Sequence, residues 1–442
     1  METQGGIALT AAGELNETFK DFKSNLEDWY GTFRPPDEDL ANDTAVSLAG
    51  NPGLSREDVI QSLMRWILAA EAHIKALDPH DHPVTTHTHT DALDSFYTPL
   101  LGNDDFDITS FQLTPSRESL ASVVETWREL SQQSGVPWVI GIAEPQTIEN
   151  DRTDDVQGYP HGRRNKMWPV YMSGGGGFAW YVQEDGGGHT FDQRIDDFHE
   201  MDVALDWTGY ALIFMDMLPV QDMTPNRSLV NSVGGGITYA MASTGGIYAV
   251  YNDVQGGPYD VDLTAESGNF VVKWFDPRNG GGLQNGSITN VSGGSWVSTG
   301  EAPNNLTNDW AALVVRTDID MDGDQMRDIW EIEFIGGTKF SSGMPGEDWD
   351  GDGASDIDEH DAGTNPADSN SVLRIRQLMP DPPDTFVVHW SSETSRKYTI
   401  LRRTNVLDTW VVHGSNLLAT PPMNVHTVQP TSLNGYYRVR VD

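Results

Sequence analysis

Cysteine is absent from the 442-residue sequence, and cationic residues and long apolar runs are scarce. Without cysteine there can be no disulfide bond, thiolate nucleophile or zinc–thiolate centre. Lys and Arg number 27 against 66 Asp and Glu, which leaves a formal net charge of -39. Because phosphate binding needs clustered Lys and Arg, this balance argues against a nucleic-acid partner. No run approaches the roughly 20 apolar residues of a membrane-spanning helix, so we predict no membrane span.

The composition and length of the chain favour several folded domains. Hydrophobic residues make up 38% of the chain and tryptophan occurs 14 times, as in folded globular proteins. A chain of this length is too long to fold around a single hydrophobic core, so we expect three or more domains. The pattern predicts a multidomain α/β plus all-β protein made of a helical N-terminal segment (1–75), an α/β region (76–230), a β-sandwich (231–317), an acidic segment (318–371) and a small β domain (372–442).

Short strands alternate with helices in the α/β region, which is typical of parallel sheets. Strands are expected at 84–90, 108–113, 138–142 and 167–172. One helix is expected between Thr114, a candidate N-cap, and Gly135, and another at 193–217.

The acidic segment carries two repeated patterns of alternating carboxylates. Between residues 318 and 361 there are fifteen Asp and Glu against only Arg327 and Lys339. Calcium is a hard cation that takes six to eight oxygen ligands, and an EF-hand-like loop supplies them from positions 1, 3, 5, 7, 9 and 12. The first frame places Asp320, Asp322, Asp324, Met326, Asp328 and Glu331 at these positions, and the second places Asp348, Asp350, Asp352, Ala354, Asp356 and Glu359.

These two frames predict a pair of Ca²⁺ sites, in which Met326 and Ala354 would contribute their carbonyl oxygens. Gly353 occupies position 6 of the second frame, where the loop turns sharply, whereas Gln325 replaces that glycine in the first. The alternative is a solvated acidic linker. The segment resembles thrombospondin type 3 and dockerin-like calcium repeats, which implies a structural role and an extracellular or cell-surface location. Calcium would then replace the missing disulfides as a cross-link.

Glu144 follows the apolar run 138–143, and chemistry in (β/α)8 barrels lies at the carboxyl ends of such strands. Residues 76–223 resemble the apiosidase-like glycoside hydrolases in the order of several motifs. These are Ala76-Leu77-Asp78-Pro79, His82-Pro83, Ser110-Phe111-Gln112, Glu144-Pro145, Met167-Trp168, the glycines 174–177 and Trp180-Tyr181. The resemblance implies the C-terminal part of a barrel, Glu144 as nucleophile, and a sugar site lined by His87, Gln112, Trp168, Trp180 and Tyr181. For the aromatic residues the alternative is a place in the core, and for His87 it is ordinary polar lining.

The barrel implied by this resemblance is partial. A retaining glycosidase needs a second carboxylate as acid/base, and no matching motif precedes residue 76. The chain could be a truncated enzyme, a non-catalytic relative, or half of a barrel that another chain completes. Residues 1–20 also lack the apolar core of a signal peptide, so export is encoded elsewhere or the N-terminus is incomplete, and the missing first strands favour the second explanation.

The two β regions have resemblances of their own. Motifs such as Asp276-Pro277-Arg278-Asn279-Gly280 resemble the collagen-binding-type domain that follows such barrels, with packing against the barrel as the alternative role. The C-terminal region resembles small β modules of bacterial secreted proteins. We therefore expect a secreted calcium-binding protein related to hydrolases of plant or algal polysaccharides. The alternative is a non-catalytic extracellular protein that binds glycan, matrix or a cell surface.

Overall fold

The computed structural model describes residues 64, 67–68, 71–88, 93–113, 117–145, 148–149, 159–180, 182–183, 202–232, 234–334, 346–381, 384–429 and 435–442. Most of the predicted N-terminal helical segment lies outside these residues, although 71–77 are helical as expected. Within the described ranges, every helix is too short or too polar to traverse a lipid bilayer.

A four-stranded parallel sheet organises the α/β region. Its strands are β1 (Thr85–Thr88), β2 (Ile108–Gln112), β3 (Gly141–Glu144) and β5 (Gly177–Phe178), in the order β1-β2-β3-β5. Helices lie between successive strands at Leu93–Tyr97, Arg117–Ser134 and Tyr159–Gly162. A separate parallel pair joins β4 (Ile148–Glu149) and β6 (Val182–Gln183). The predicted α/β class with parallel strands is confirmed.

The prediction of a strand at 167–172 was wrong. Residues Arg163–Met167 form a π-helical turn, and Trp168–Met172 continue as an α-helix with Pro169 in its first turn. All five residues of that helix are buried. A short apolar run that is buried on every side looks the same in sequence whether it is a strand or a helix.

Two antiparallel sheets form the β-sandwich. One has the order β13-β12-β15-β10-β9-β7 and the other β14-β11-β8. The strands are β7 (Met223–Pro225), β8 (Val230–Ser232), β9 (Thr238–Ser243), β10 (Ile247–Asn252), β11 (Tyr259–Asp262), β12 (Asn269–Phe275), β13 (Asn290–Ser292), β14 (Trp296–Ser298) and β15 (Trp310–Arg316). The larger sheet thus includes a strand that begins before residue 231, and the core between the two sheets contains Trp274 and Trp310.

The larger sheet also shares a core with the α/β region. The helix Asp202–Asp216 lies across it and contributes Phe214, which packs 5.3 Å from Phe275 between ring centroids. Trp168 stacks on Tyr251 of β10 at 4.7 Å. Because both rings of this stack are fully buried, the two regions are joined by hydrophobic packing rather than by a flexible linker alone.

A buried ion pair crosses the same boundary. Arg163 donates from Nη2 to Oδ1 of Asp309 at 2.7 Å and from Nε to Oδ2 at 3.1 Å. The hydroxyl of Tyr251 donates to the same carboxylate at 3.2 Å. The guanidinium of Arg163 also lies 4.1 Å from the ring centroid of Trp207 on the facing helix. This arrangement fixes the orientation of the α/β region on the sandwich, since a bidentate pair tolerates little rotation.

The turn at 276–280 is a second contact with that helix. Asp276 accepts hydrogen bonds from the backbone N–H and the guanidinium of Arg278, which shape the turn predicted from the sequence. The carbonyl of Arg278 accepts from Nε1 of Trp207 at 3.0 Å. Gly280 has φ 61°, and a Cβ there would lie 2.3 Å from the ring of Tyr210. A side chain at this position would push the turn away from the helix.

The acidic segment contributes two short helices, Asp328–Phe334 and Asp356–Ala362. The C-terminal domain packs two antiparallel sheets, with orders β16-β17-β20 and β19-β18-β21, around a small core that includes Trp390 and Tyr398. Its strands are β16 (Ile375–Asp381), β17 (Thr385–Ser391), β18 (Lys397–Arg403), β19 (Val411–Leu418), β20 (Met423–Val428) and β21 (Tyr436–Val441).

Candidate metal centres and the carboxyl edge of the parallel sheet

The two acidic loops have the same internal hydrogen bonds. In the first, Oδ1 of Asp320 accepts from the backbone N–H of Gly323 at 2.7 Å, and Oδ2 accepts from Gln325 at 3.0 Å. In the second, Asp348 accepts in the same way from Gly351 and Gly353, both at 2.9 Å. Each position-1 carboxylate therefore organises the turn around itself. Oxygens of Asp320, Asp322 and Asp324 lie within 4.8 Å of one another, as do those of Asp348, Asp350 and Asp352.

Position 9 closes each loop against its own start. Oδ1 of Asp328 accepts from the backbone N–H of Met321 at 2.9 Å, and Oδ1 of Asp356 accepts from Trp349 at 3.2 Å. Both aspartates are fully buried and begin a helix, which also carries the position-12 glutamate of the same loop, Glu331 or Glu359. The loop and the helix that follows it thus turn their carboxylates toward one another.

Several of these carboxylates keep a buried oxygen with no hydrogen-bond partner. They occur at positions 9 and 12 of the first loop and at positions 3, 5, 9 and 12 of the second, namely Asp328 Oδ2, Glu331 Oε2, Asp350 Oδ2, Asp352 Oδ2, Asp356 Oδ2 and Glu359 Oε2. An unpaired buried carboxylate oxygen costs several kcal/mol unless a cation or a donor meets it. The unpaired oxygens fall on the predicted ligand positions, and this donor set fits Ca²⁺.

The protein environment opposes ionisation of these groups when no cation is near. Burial, together with the neighbouring aspartates, raises the pKa of Glu331 to about 8 and that of Asp328 to about 6. Burial likewise raises the pKa of Glu359 to about 7, although a hydrogen bond from Thr364 acts in the opposite direction. A divalent cation would reverse this balance, because it favours the charged form of every ligand at once.

Gln325 has the backbone conformation of the glycine that it replaces. Its φ is 81°, against 97° for Gly353 at the equivalent position of the second loop. A side chain in the left-handed region costs roughly 1–2 kcal/mol relative to glycine. The first loop therefore has the expected turn despite its departure from the pattern, and it carries that cost.

The two loops contact each other directly. Nε2 of His360 accepts from both the backbone N–H and the Nε of Arg327, each at 3.2 Å. Trp330 packs edge-on against the same imidazole at 5.4 Å. Each loop is also anchored outward: Ile329 belongs to the core shared with the β-sandwich, and Arg396 of the C-terminal domain donates to the carbonyl of His360 at 3.1 Å. The acidic segment therefore connects the β-sandwich to the C-terminal domain by direct contacts with both.

The second candidate site is the carboxyl edge of the parallel sheet. Glu144 is the last residue of β3 and is paired with Gln112, the last residue of β2. His87 lies near the end of β1, where its exposed imidazole Nδ1 is 3.0 Å from Oγ of Ser110 on β2. The side chain of Glu144 lies outside the described part of the structure. Its backbone position, however, is the one at which parallel α/β sheets place catalytic groups.

Lys166 lies at this edge and had not been selected from the sequence. Its Nζ donates to the carbonyl of Pro145, directly after Glu144, at 2.8 Å. The side chain is buried, and that burial lowers the pKa of Lys166 to about 8. No sequence motif identifies Lys166 as a residue of this edge. It belongs to the π-helical turn Arg163–Met167, which the sequence did not predict.

The three aromatic residues expected to line a sugar site differ in what the structure shows of their accessibility. Trp168 is fully buried against Tyr251, so no ligand can reach its ring. Trp180 is partly exposed, and its Nε1 donates to Thr208 at 2.7 Å. Tyr181 lies outside the described residues. In the glycine run before them, a Cβ on Gly176 would lie 2.4 Å from Cγ1 of Val139, so glycine there allows close packing against that side chain.

Comparison with known proteins assigns one domain. Residues 224–316 match the family model described as "Putative collagen-binding domain of a collagenase". That span covers the β-sandwich. No significant match was found among curated proteins.

Three solved structures show partial likeness. A glycoside hydrolase family 5 protein from Bacteroides vulgatus ATCC 8482 shares 20% identity at a TM-score of 0.43, over 57% of this chain and 59% of that one. A second structure described as a glycoside hydrolase shares 18% identity at a TM-score of 0.44, over 59% and 62%. The protein N2152 from Neocallimastix frontalis shares 12% identity at a TM-score of 0.29, over 67% and 75%. The chain thus spans about three fifths of the length of the two hydrolases.

Proposed function

We propose that this chain is an extracellular, calcium-stabilised protein related to glycoside hydrolases of plant or algal polysaccharides. Two calcium ions would hold the acidic segment folded between the β-sandwich and the C-terminal domain. The observation that carries the calcium proposal is the buried carboxylate oxygen without a hydrogen-bond partner at positions 9 and 12 of both loops.

A calcium ion would supply what these oxygens lack. Backbone N–H groups donate to the position-1 carboxylates, and one oxygen each from positions 1, 3 and 5 of a loop lie within 4.8 Å of one another, close enough to share one ion. A solvated linker would instead expose its carboxylates to water. Asp328, Asp356 and Glu359 are almost completely buried, so that alternative is disfavoured.

Titration with calcium tests this proposal by its stoichiometry. The intact chain is expected to bind two ions per molecule in isothermal titration calorimetry. Glu331→Gln and Glu359→Gln are each expected to lose one ion, because position 12 supplies a bidentate carboxylate that an amide cannot replace. Asp361→Asn is the control, since that carboxylate is exposed and outside both frames. Binding of no ion by the intact chain, or unchanged stoichiometry in both variants, would refute the assignment.

The catalytic part of the proposal depends on Glu144. Its place at the end of β3, beside Gln112 and near Lys166, supports a role on a substrate held at the sheet edge. The β-sandwich would support this region, because one of its sheets packs against the helix Asp202–Asp216. A collagen or matrix ligand for the sandwich remains the alternative that its family description suggests.

Hydrolysis assays distinguish an enzyme from a binding protein. Purified protein in calcium is offered a panel of plant and algal polysaccharides, and sugar release is measured beside Glu144→Gln. If the site is catalytic, release is expected to fall by several orders of magnitude in the variant, because an amide cannot act as the nucleophile. Glu129→Gln, on the exposed face of the helix Arg117–Ser134, should keep full activity. No release by the intact protein, together with retention of glycan in a pull-down, would replace the catalytic proposal by the binding alternative.

A further inference from the structure

The C-terminal domain differs in charge from the rest of the chain. Residues 372–442 contain eight Lys and Arg against five Asp and Glu, although the whole chain has a net charge of -39. The cations are not spread evenly over the surface of the domain. Several of them lie on one sheet, β19-β18-β21, and strand alternation determines which side of that sheet they occupy.

Most residues of β18 and β21 on the inward side are apolar, although Arg402 shares that register at the end of β18, opposite Tyr437. Tyr398 and Ile400 of β18 lie in the core, and Val439 and Val441 of β21 are paired with them and pack against that core. The alternate residues must face outward. Those on the two strands are Lys397, Thr399, Leu401 and Arg403 of β18 and Tyr436, Arg438 and Arg440 of β21. Thr399 is itself buried, and its hydroxyl donates to Asp442 at 2.7 Å.

The outer side of this sheet therefore presents four cations, Lys397, Arg403, Arg438 and Arg440, which we term the cationic face. Neighbouring outward residues on one strand are about 7 Å apart, and adjacent strands are about 5 Å apart, so the charges form a compact array. Lys397 and Arg438 are exposed. Asp442 lies 3.2 Å from Arg440 and offsets part of its charge.

Aromatic rings accompany the charges at one end of the face. The guanidinium of Arg403 lies 4.4 Å from the ring centroid of Trp410 and 5.6 Å from that of Tyr436. Tyr436 is 43% exposed, and the Nε of Arg403 is buried without an acceptor. Stacking holds this arginine in place and lowers the entropy that it would lose on meeting an anion.

We propose that the cationic face binds an acidic polysaccharide, with its arginines on carboxylate or sulfate groups and Tyr436 against a sugar ring. Arginine forms strong bidentate bonds to such oxyanions, and an aromatic ring offers an apolar surface beside them. The other sheet has Arg374 and Arg376 near one end, but its outer face otherwise presents Gln377, Met379, Val387, His389 and Val425, so no Tyr or Trp ring of the described residues accompanies these cations there. A long nucleic acid or an anionic membrane would also meet the strongly acidic remainder of the chain, whereas one polysaccharide strand can touch this face alone. The site is separate from Glu144 and from the calcium loops.

Affinity electrophoresis with the full chain in calcium tests the proposal. Dextran sulfate in the gel is expected to retard the protein, and uncharged dextran is not. Arg438→Gln/Arg440→Gln is expected to weaken retention about tenfold, because two charge-assisted contacts are lost. Tyr436→Ala should weaken it as well. Arg374→Gln/Arg376→Gln removes the same charge from exposed positions at β16 on the other sheet and should leave retention unchanged.

Three outcomes would overturn the proposal. Unchanged migration of the intact protein in dextran sulfate would remove the site. An equal loss in Arg374→Gln/Arg376→Gln would show attraction by net charge alone. Tighter binding to poly(dT) or polyglutamate than to dextran sulfate would assign the face to a nucleic acid or an acidic protein. Thermal unfolding of each variant checks its folding, and since hydrolysis plays no part in the assay, failure here is distinguishable from failure of the catalytic proposal.

Discussion

Removal of calcium is expected to unfold the acidic segment and to lower the stability of the protein by about 4 kcal/mol for each ion, when calcium had been present at about 1,000 times its Kd. The physical reason is that Asp328, Glu331, Asp356 and Glu359 are buried beside other carboxylates. Without the ion these charges repel one another, and the segment must either take up protons or open. Thermal unfolding followed by tryptophan fluorescence, in calcium and in EGTA, measures the difference.

Two controls for this experiment are the pH dependence of the calcium-free protein and the removal of the position-12 carboxylates. In EGTA the raised pKa of Glu331 means that the folded form binds more protons than the unfolded form between pH 4.5 and about 8, so calcium-free stability falls as pH rises through that window. The destabilisation by EGTA should therefore be larger at pH 8 than at pH 5.5. Glu331→Gln/Glu359→Gln should respond little to EGTA at either pH. An intact protein with the same unfolding temperature in calcium and EGTA would contradict the metal assignment.

Replacement of Asp309 by alanine is expected to destabilise the protein by roughly 3–5 kcal/mol. The substitution leaves the guanidinium of Arg163 buried without its bidentate partner and removes the acceptor of the Tyr251 hydroxyl. Because Arg163 begins the helical turn that carries Lys166, the sheet edge should also lose order. Urea unfolding measures the stability, and hydrogen exchange of residues 159–180 measures the local effect.

A second substitution at the same site separates charge from packing. Arg163→Met/Asp309→Leu replaces the ion pair by apolar groups of similar size and should recover much of the lost stability, since no buried charge is left unpaired. Asp318→Ala is a matched control, because that carboxylate is exposed and pairs with Arg316 at the surface. A cost below about 1 kcal/mol for Asp309→Ala would show that the ion pair does not hold the α/β region on the sandwich.

Local features of this protein could be predicted from the sequence because their parts lie close together in the chain. Each acidic loop needs only twelve residues, so the spacing from Asp320 to Glu331 already specified the turn and the clustering of its carboxylates. The β character of residues 231–317 and 372–442 was predictable for the same reason, since strand alternation is local, and the structure confirms it.

Long-range features were decided only by the tertiary structure. Arg163 and Asp309 are 146 positions apart, and no local pattern relates them. The run 167–172 is apolar in any conformation, and its choice of helix depends on the sheet and the helix that bury it. By itself the sequence determined two repeated acidic loops, the parallel α/β pattern and the β character of the C-terminal half. Three features depended on packing: the carboxylate oxygens that are buried without partners, the tryptophans that lie in the core, and the arginines that share one face. Burial could not be predicted for them because it depends on surfaces that meet only after folding.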